Sequence, residues 1–197
     1  MTSTRKLTFA DYLALDDSGL ERRAELIDGV LTELPPETWF NNDIAMFLFL
    51  KLVENGIPFQ QVKVHSCELQ TPILESGDAA NRYPDLVVVD EVHRAKPNQR
   101  MTITLNMPPP RLVVEVVSPG KTNRDRDYLR KRAQYAAIGI PEYLIVDPQE
   151  SVVILLVLAA DGYREAGCYQ GKQRVQLLSF PDLELTAEEI LAAGQVG

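Results

Sequence analysis

The sequence predicts an α/β (α+β) fold, a mixed central β-sheet flanked by helices and carrying additional β-hairpins, in a single domain over residues 1–197. Three observations lead there. Two runs, residues 86–89 and 112–117, are almost wholly aliphatic, as expected of strands covered on both faces of a sheet. A helical pattern over residues 123–138 leads into a third apolar strand at residues 142–147 (EYLIVD). Asp28-Gly29 and Asp161-Gly162 each stand between apolar-alternating stretches, the mark of a tight hairpin. A chain of 197 residues that is 45% hydrophobic and 24% charged can bury the core such a fold needs.

Taken in order, residues 9–15 form a short helix, and residues 23–34 two strands around Asp28-Gly29. After the Pro35-Pro36 break, residues 37–54 place Ile44, Phe47, Leu48 and Leu52 at helical spacing, and Asn55-Gly56 stops them, which predicts a largely buried helix. β-Branched residues and alternation predict a strand over residues 59–69, ahead of the two aliphatic strands expected at the centre of the sheet. The helix of residues 123–138 carries Asp125 and Asp127 in its first turn, where the helix dipole favours negative charge, and ends at Gly139 before Pro141. Residues 152–158 and 163–166 make a second hairpin, and a last helix begins near Ala187. No internal repeat, low-complexity tract or linker interrupts this order.

Composition narrows the function classes. The longest apolar run, residues 152–160, falls far short of the ~20 residues that span a bilayer, so no membrane association is expected. The first residues lack the apolar stretch of a cleaved signal. Cys67 and Cys168 stand far apart with no CxxC spacing, which predicts neither a disulfide framework nor a structural zinc and fits a reducing cytoplasm. A net charge of -8 argues against a protein that coats nucleic acid indiscriminately. Positive charge is nonetheless local: residues 121–132 hold six basic side chains against two acidic ones.

Two carboxylates stand out because each sits at an aliphatic strand: Asp85 before residues 86–89, and Glu115 within residues 112–117. A carboxylate there is costly to desolvate and needs a cation, a hydrogen-bond network or an exposed strand end. Read singly, Asp85 is a strand-start residue after Pro84 and Glu115 an outward-facing edge residue; read together, adjacent strands supply one metal ion. Asp127, Lys131 and Tyr135 follow at i, i+4, i+8 and share one helix face. If that face meets the sheet, Lys131 reaches Glu115; if it meets solvent, Asp127 and Lys131 form an ion pair worth only ~0.3–0.5 kcal/mol.

Pro84-Asp85 followed by Glu115-Val116-Val117 resembles the bipartite signature of the PD-(D/E)XK, restriction-endonuclease-like superfamily, with Val117 standing where that pattern has lysine. More closely, ELIDG at residues 25–29, YPDLVVVD at 83–90, LVVEVVSP at 112–119 and the Asp127, Lys131, Tyr135 series running into GIPEYLIVDP resemble the Uma-two family of that superfamily. In that family the lysine has moved to the helix after the acidic strand, and the matching residue is Lys131.

The resemblance implies a restriction-endonuclease-like core and metal-dependent hydrolysis of DNA phosphodiester bonds. Asp85, Glu115 and the Val116 carbonyl would hold Mg²⁺ or Mn²⁺, ions that favour hard oxygen ligands. Lys131 would orient the attacking water or neutralise transition-state charge. Glu25 would complete the acidic cluster, the competing reading being a plain hairpin carboxylate. Where the family often carries histidine at the start of the first long helix, this sequence has Asn41 and Asn42, to which no catalytic role is assigned.

Arg124, Arg126, Arg130 and Arg132 would contact flanking phosphates, or else form the solvated face of their helix. Cutting both strands of DNA calls for a homodimer. The rival reading is a catalytically silent DNA-binding or assembly protein that kept the nuclease fold. A small-molecule phosphatase is disfavoured because no GxxxxGK[ST] loop is present. His65 and His93 lack HxxxH or HExxH spacing and are read as structural or surface residues, Trp39 as a packing anchor. With no separate recognition domain in view, specificity would fall to a loop such as residues 90–110.

Overall fold

The computed structural model describes residues 6–15, 23–95 and 100–195. Thr8 caps α1 (Phe9–Leu13) through a reciprocal pair of hydrogen bonds with Asp11. Asp28 and Gly29 both take left-handed backbone, φ 50° and 80°, as a two-residue hairpin turn requires, and join β1 (Ala24–Ile27) to β2 (Val30–Glu33). Thr38 accepts the Asn41 N–H at 3.1 Å and starts α2 (Trp39–Glu54). Then come β3 (Val62–Val64), β4 (Glu68–Gln70), β5 (Asn81–Arg82), β6 (Leu86–Val88), β7 (Thr102–Ile103) and β8 (Leu112–Val116). The second long helical segment opens as α3 (Lys121–Asp125), passes through a π-helical turn at Arg126–Lys131 and closes as α4 (Arg132–Ala137). β9 (Glu142–Asp147), β10 (Val152–Ala159), β11 (Gly162–Tyr169) and α5 (Ala187–Ala192) complete the chain.

Six strands form the main sheet in the order β11-β10-β9-β8-β6-β3; the β8–β9 pair is parallel and the other pairs antiparallel. The aliphatic runs that the sequence assigns to the centre, β6 and β8, lie inside this sheet. Alternation sorts their side chains. Leu86, Val88, Leu112, Val114 and Val116 pack on Ile44, Leu48 and Leu52 of α2, while Val87, Val113 and Val117 pack with Tyr135 of α4 and Tyr143 of β9. Each such aliphatic side chain contributes roughly 1.5–3 kcal/mol by leaving water. Glu115 shares the parity of Val113 and Val117, so it is carried into the α4 side of the core.

Two expectations need correction. The single strand expected over residues 59–69 is instead a 3-10 turn at Phe59–Gln61, then β3 in the main sheet and β4 in a three-stranded sheet ordered β5-β4-β7. His65 causes the break: its φ of 51° lies outside the strand region, so the chain turns there and changes sheets. Trp39 is not a packing anchor. It occupies the first residue of α2, ahead of the apolar stripe, and is 87% exposed.

Buried polar contacts tie the three-stranded sheet to α1 and to the β1–β2 hairpin. Glu68 of β4 accepts from Tyr12 of α1, Asn81 of β5 and Thr102 of β7, each at 2.6 Å. Asn81 Oδ1 accepts the Leu26 N–H at 2.7 Å and holds the β1–β2 hairpin beside β5. That anchor fixes where Glu25 sits.

Candidate active site

Glu115 and the α3–α4 segment meet inside the protein. Lys131 Nζ lies 2.7 Å from Glu115 Oε2 and 2.9 Å from Asp127 Oδ1. Tyr135 donates its hydroxyl to Glu115 Oε1 at 2.6 Å. The helix face carrying Asp127, Lys131 and Tyr135 therefore meets the sheet, not solvent, and Glu115 and Lys131 are only 2% and 6% exposed. The π-helical turn spans Asp127 and Lys131, and Tyr143 of β9 steadies it by donating to the Asp127 carbonyl at 2.9 Å.

Asp85 comes from the chain just ahead of β6. Its Oδ2 accepts the Val116 N–H at 2.6 Å, so the aspartate is bound to the strand that bears Glu115. The Val116 carbonyl accepts from Asn41 Nδ2 at 3.3 Å, and the same amide donates to Ser118 Oγ at 3.0 Å. A carbonyl oxygen has a second lone pair, which leaves Val116 able to accept again. Asp85, Glu115, Val116, Lys131, Arg126 and Glu25 line one cavity of about 330 Å³.

Acidic and basic groups are crowded together at this cavity. Burial pushes the Glu115 carboxyl up to about 8; Lys131 opposes that shift, and Asp85 and Asp127 add to it. Burial also works against the Lys131 charge, but the carboxylates of Asp127 and Glu115 outweigh it and hold the ammonium protonated. Tyr135, raised well above its ordinary range by burial and then by Glu115, stays a hydrogen-bond donor. The carboxyls of Asp85, Glu115 and Asp127 stand against the Lys131 ammonium and the Arg126 guanidinium, and their hard oxygens suit a divalent ion.

The Uma2 family profile, described as "Putative restriction endonuclease", matches residues 9–188. The chain belongs to the Uma2 family. Among curated protein sequences none matches it. Among solved structures it is similar to a protein from Anabaena variabilis ATCC 29413 described as "a putative nuclease belonging to DUF820", at 17% identity and a TM-score of 0.68, covering 96% of this chain and 99% of that one. At that identity the likeness speaks for the fold. No helix among the described residues is long and apolar enough to cross a membrane.

In this Uma2 chain Glu25 lines the cavity but is bound elsewhere: Arg82 Nη1 lies 2.9 Å from its Oε2, and Arg82 Nε donates to Gln134 of α4 at 2.9 Å. Of the arginines, Arg126 reaches Asp127 at 3.4 Å and borders the cavity. Arg124 pairs with Asp147 and Arg130 with Asp78, both carboxylates buried, while Arg132 donates to the Tyr163 carbonyl. Residues 96–99 of the 90–110 loop lie outside the described residues; the rest includes a 3-10 turn at Glu91–Arg94 and β7.

Two polar residues beside the cavity were assigned no site role from the sequence. Asn41, which stands where the family often has histidine, is buried against the Val116 carbonyl. His65, read as structural or surface, turns its Nδ1 to within 3.4 Å of Asp85 Oδ1 and 3.9 Å of Glu37 Oε1. Local spacing carries no sign of this contact, because Glu37, His65 and Asp85 come from three separate segments.

Proposed function

We propose that this chain is a metal-dependent endonuclease that hydrolyses DNA phosphodiester bonds in the cavity shared by Asp85, Glu115 and Lys131. The observation that carries the reading is the convergence of Lys131 Nζ on Glu115 at 2.7 Å, with Asp85 bound to the neighbouring Val116 N–H. Lysine two positions after the acid is absent in sequence, but an ammonium from the following helix occupies the space beside the same carboxylate. Membership of a family described as restriction endonucleases supports the substrate class.

Asp85, Glu115 and the Val116 carbonyl would hold Mg²⁺ or Mn²⁺. When bound, such an ion supplies polarisation of a phosphoryl oxygen and a lowered pKa for the attacking water. Lys131, kept protonated by Asp127 and Glu115, acts as a donor: its Nζ–H groups orient water or a phosphate oxygen, and its charge offsets the negative charge that grows in transfer. It does not serve as the base. Tyr135 fixes the Glu115 carboxyl, Asn41 fixes the Val116 carbonyl, and Glu25 borders the cavity as a third acid. Arg126, which borders the cavity, would meet a phosphate next to the scissile one, and Arg124 and Arg130, paired with Asp147 and Asp78, would flank it. Cutting both strands requires two copies, so a homodimer is part of the proposal.

The test compares wild type with an Asp85→Asn/Glu115→Gln double variant, by calorimetry with Mg²⁺ and Mn²⁺ and by cleavage of supercoiled, linear and branched DNA. Ion binding and cleavage should both vanish in a variant that still folds. Ion binding by wild type without cleavage of any DNA would favour the silent binding protein, and wild type that binds no ion overturns the site.

A further inference from the structure

His65 is held in an unusual conformation. Its φ is 51°, a left-handed backbone that histidine adopts at some cost, and both backbone groups are engaged: the N–H donates to the Asp85 carbonyl and the carbonyl accepts from Arg23 Nη1, each at 3.0 Å. The ring has no hydrogen-bond partner. Both Nδ1 and Nε2 are buried and make no hydrogen bond, an arrangement costing about 1–3 kcal/mol for each unsatisfied group.

What the ring faces is two carboxylates. Nδ1 stands 3.4 Å from Asp85 Oδ1 and 3.9 Å from Glu37 Oε1, and the three ligand atoms lie within 4.8 Å of one another. These gaps exceed a good N–H···O hydrogen bond. They are close to the spacing of ligands sharing one ion, since atoms each about 2.0–2.2 Å from a cation stand roughly 3–3.5 Å apart. Glu37 sits at the rim, its side chain 29% exposed, and Arg23 holds it at 3.0 Å.

We propose that Glu37, His65 and Asp85 form a second cation site that takes a divalent transition ion such as Mn²⁺. The set offers one imidazole nitrogen and two carboxylates, one of them also paired with Arg23, and a nitrogen in the set favours Mn²⁺ or Zn²⁺ over Mg²⁺, which prefers oxygen alone. Asp85 lies between this site and the one described above: Oδ2 points to Val116 and Oδ1 to His65. The inference rests on the nuclease reading only through that shared aspartate.

The chain offers a clean spectroscopic readout. It has two histidines, and both ring nitrogens of His93 are taken, Nδ1 by the Asp90 N–H at 3.0 Å and Nε2 against the Pro108 carbonyl at 2.8 Å. A ¹⁴N modulation on bound Mn²⁺ in pulsed paramagnetic resonance therefore assigns His65. Calorimetry with Mn²⁺ should give two ions per chain for wild type and one for His65→Asn, a variant chosen because asparagine tolerates left-handed backbone. His65→Ala serves as the check on it. Glu115→Gln should lose the other ion and keep the ¹⁴N signal. A ¹⁴N signal in wild type that is absent in His65→Asn supports the second site even if no DNA is cut; wild type that cuts DNA with one ion and no ¹⁴N signal overturns it and leaves the nuclease reading standing. An unchanged ion count in His65→Asn overturns it as well.

Discussion

Lys131 Nζ bridges Glu115 and Asp127, at 2.7 Å and 2.9 Å, with all three groups buried between the sheet and the π-helical turn. One ammonium thus holds two carboxylates out of water, and stability and chemistry become linked at a single atom.

Lys131→Ala leaves both carboxyls buried without their cation, a loss of about 3–5 kcal/mol. Deprived of Lys131, which opposes the upward shift that burial causes, Glu115 holds in the folded state a proton that the unfolded chain releases, so the variant's stability falls as pH rises. Thermal melts should show a deficit against wild type that widens as pH rises above 8, where wild type ionises Glu115 beside Lys131 and the variant keeps it protonated. A deficit that does not change with pH would mean the pair is more solvated than its burial indicates.

Binding of a divalent ion at Asp85 and Glu115 must displace the proton that burial keeps on Glu115, whose carboxyl is pushed up to about 8. Affinity for Mg²⁺ should therefore climb about tenfold per unit as pH rises toward that value, then level off. Calorimetry near pH 6 and near pH 8 checks it, and a flat profile removes Glu115 from the ligand set.

Tyr135→Phe removes the 2.6 Å hydrogen bond to Glu115 Oε1 while keeping the ring. The carboxylate loses a donor that favours its charged form, so Glu115 moves further up. The rise of cation affinity with pH should shift upward by the same amount, with a stability change of only about 1–2 kcal/mol. Calorimetry across pH and a thermal melt separate the two effects.

Arg82 joins Glu25 of the hairpin to Gln134 of α4, so its loss strands a buried acid and an amide together. Arg82→Ala should cost about 3–5 kcal/mol in denaturant unfolding. Glu25→Gln, which keeps an acceptor for Arg82, should cost clearly less. Equal costs would show that the pair does not hold the hairpin against α4.

Arg126→Ala should weaken DNA binding evenly across sequences and lower the salt slope by about 1, as loss of one phosphate contact does. Arg124→Ala and Arg130→Ala strip partners from the buried carboxylates of Asp147 and Asp78 and should show mainly as lower melting temperatures. Fluorescence anisotropy with labelled duplex at several salt concentrations distinguishes the three.

The central strands were legible because aliphatic runs such as residues 112–117 admit few alternatives to a covered sheet, and the hairpins because Asp-Gly fixes a turn. The convergence of Asp127, Lys131 and Tyr135 on Glu115 followed from helical spacing once that face was set against the sheet. The π-helical turn was not legible, since the same residues suit an ordinary helix and only packing selects the wider one. Nor was the place of His65, which depends on a backbone turn between sheets, or the pairing of Glu25 with Arg82, which depends on strands far apart in sequence.

Trp39, the single tryptophan of the chain, stands 87% exposed beside Thr38, which lines the cavity. The protein thus carries one indole fluorophore, next in the chain to the cavity lining and bathed in water. Red-edge excited emission then comes from one address, and anything that settles over that end of α2, be it a nucleic-acid strand or a second copy of the chain, alters its colour or intensity without any dye attached.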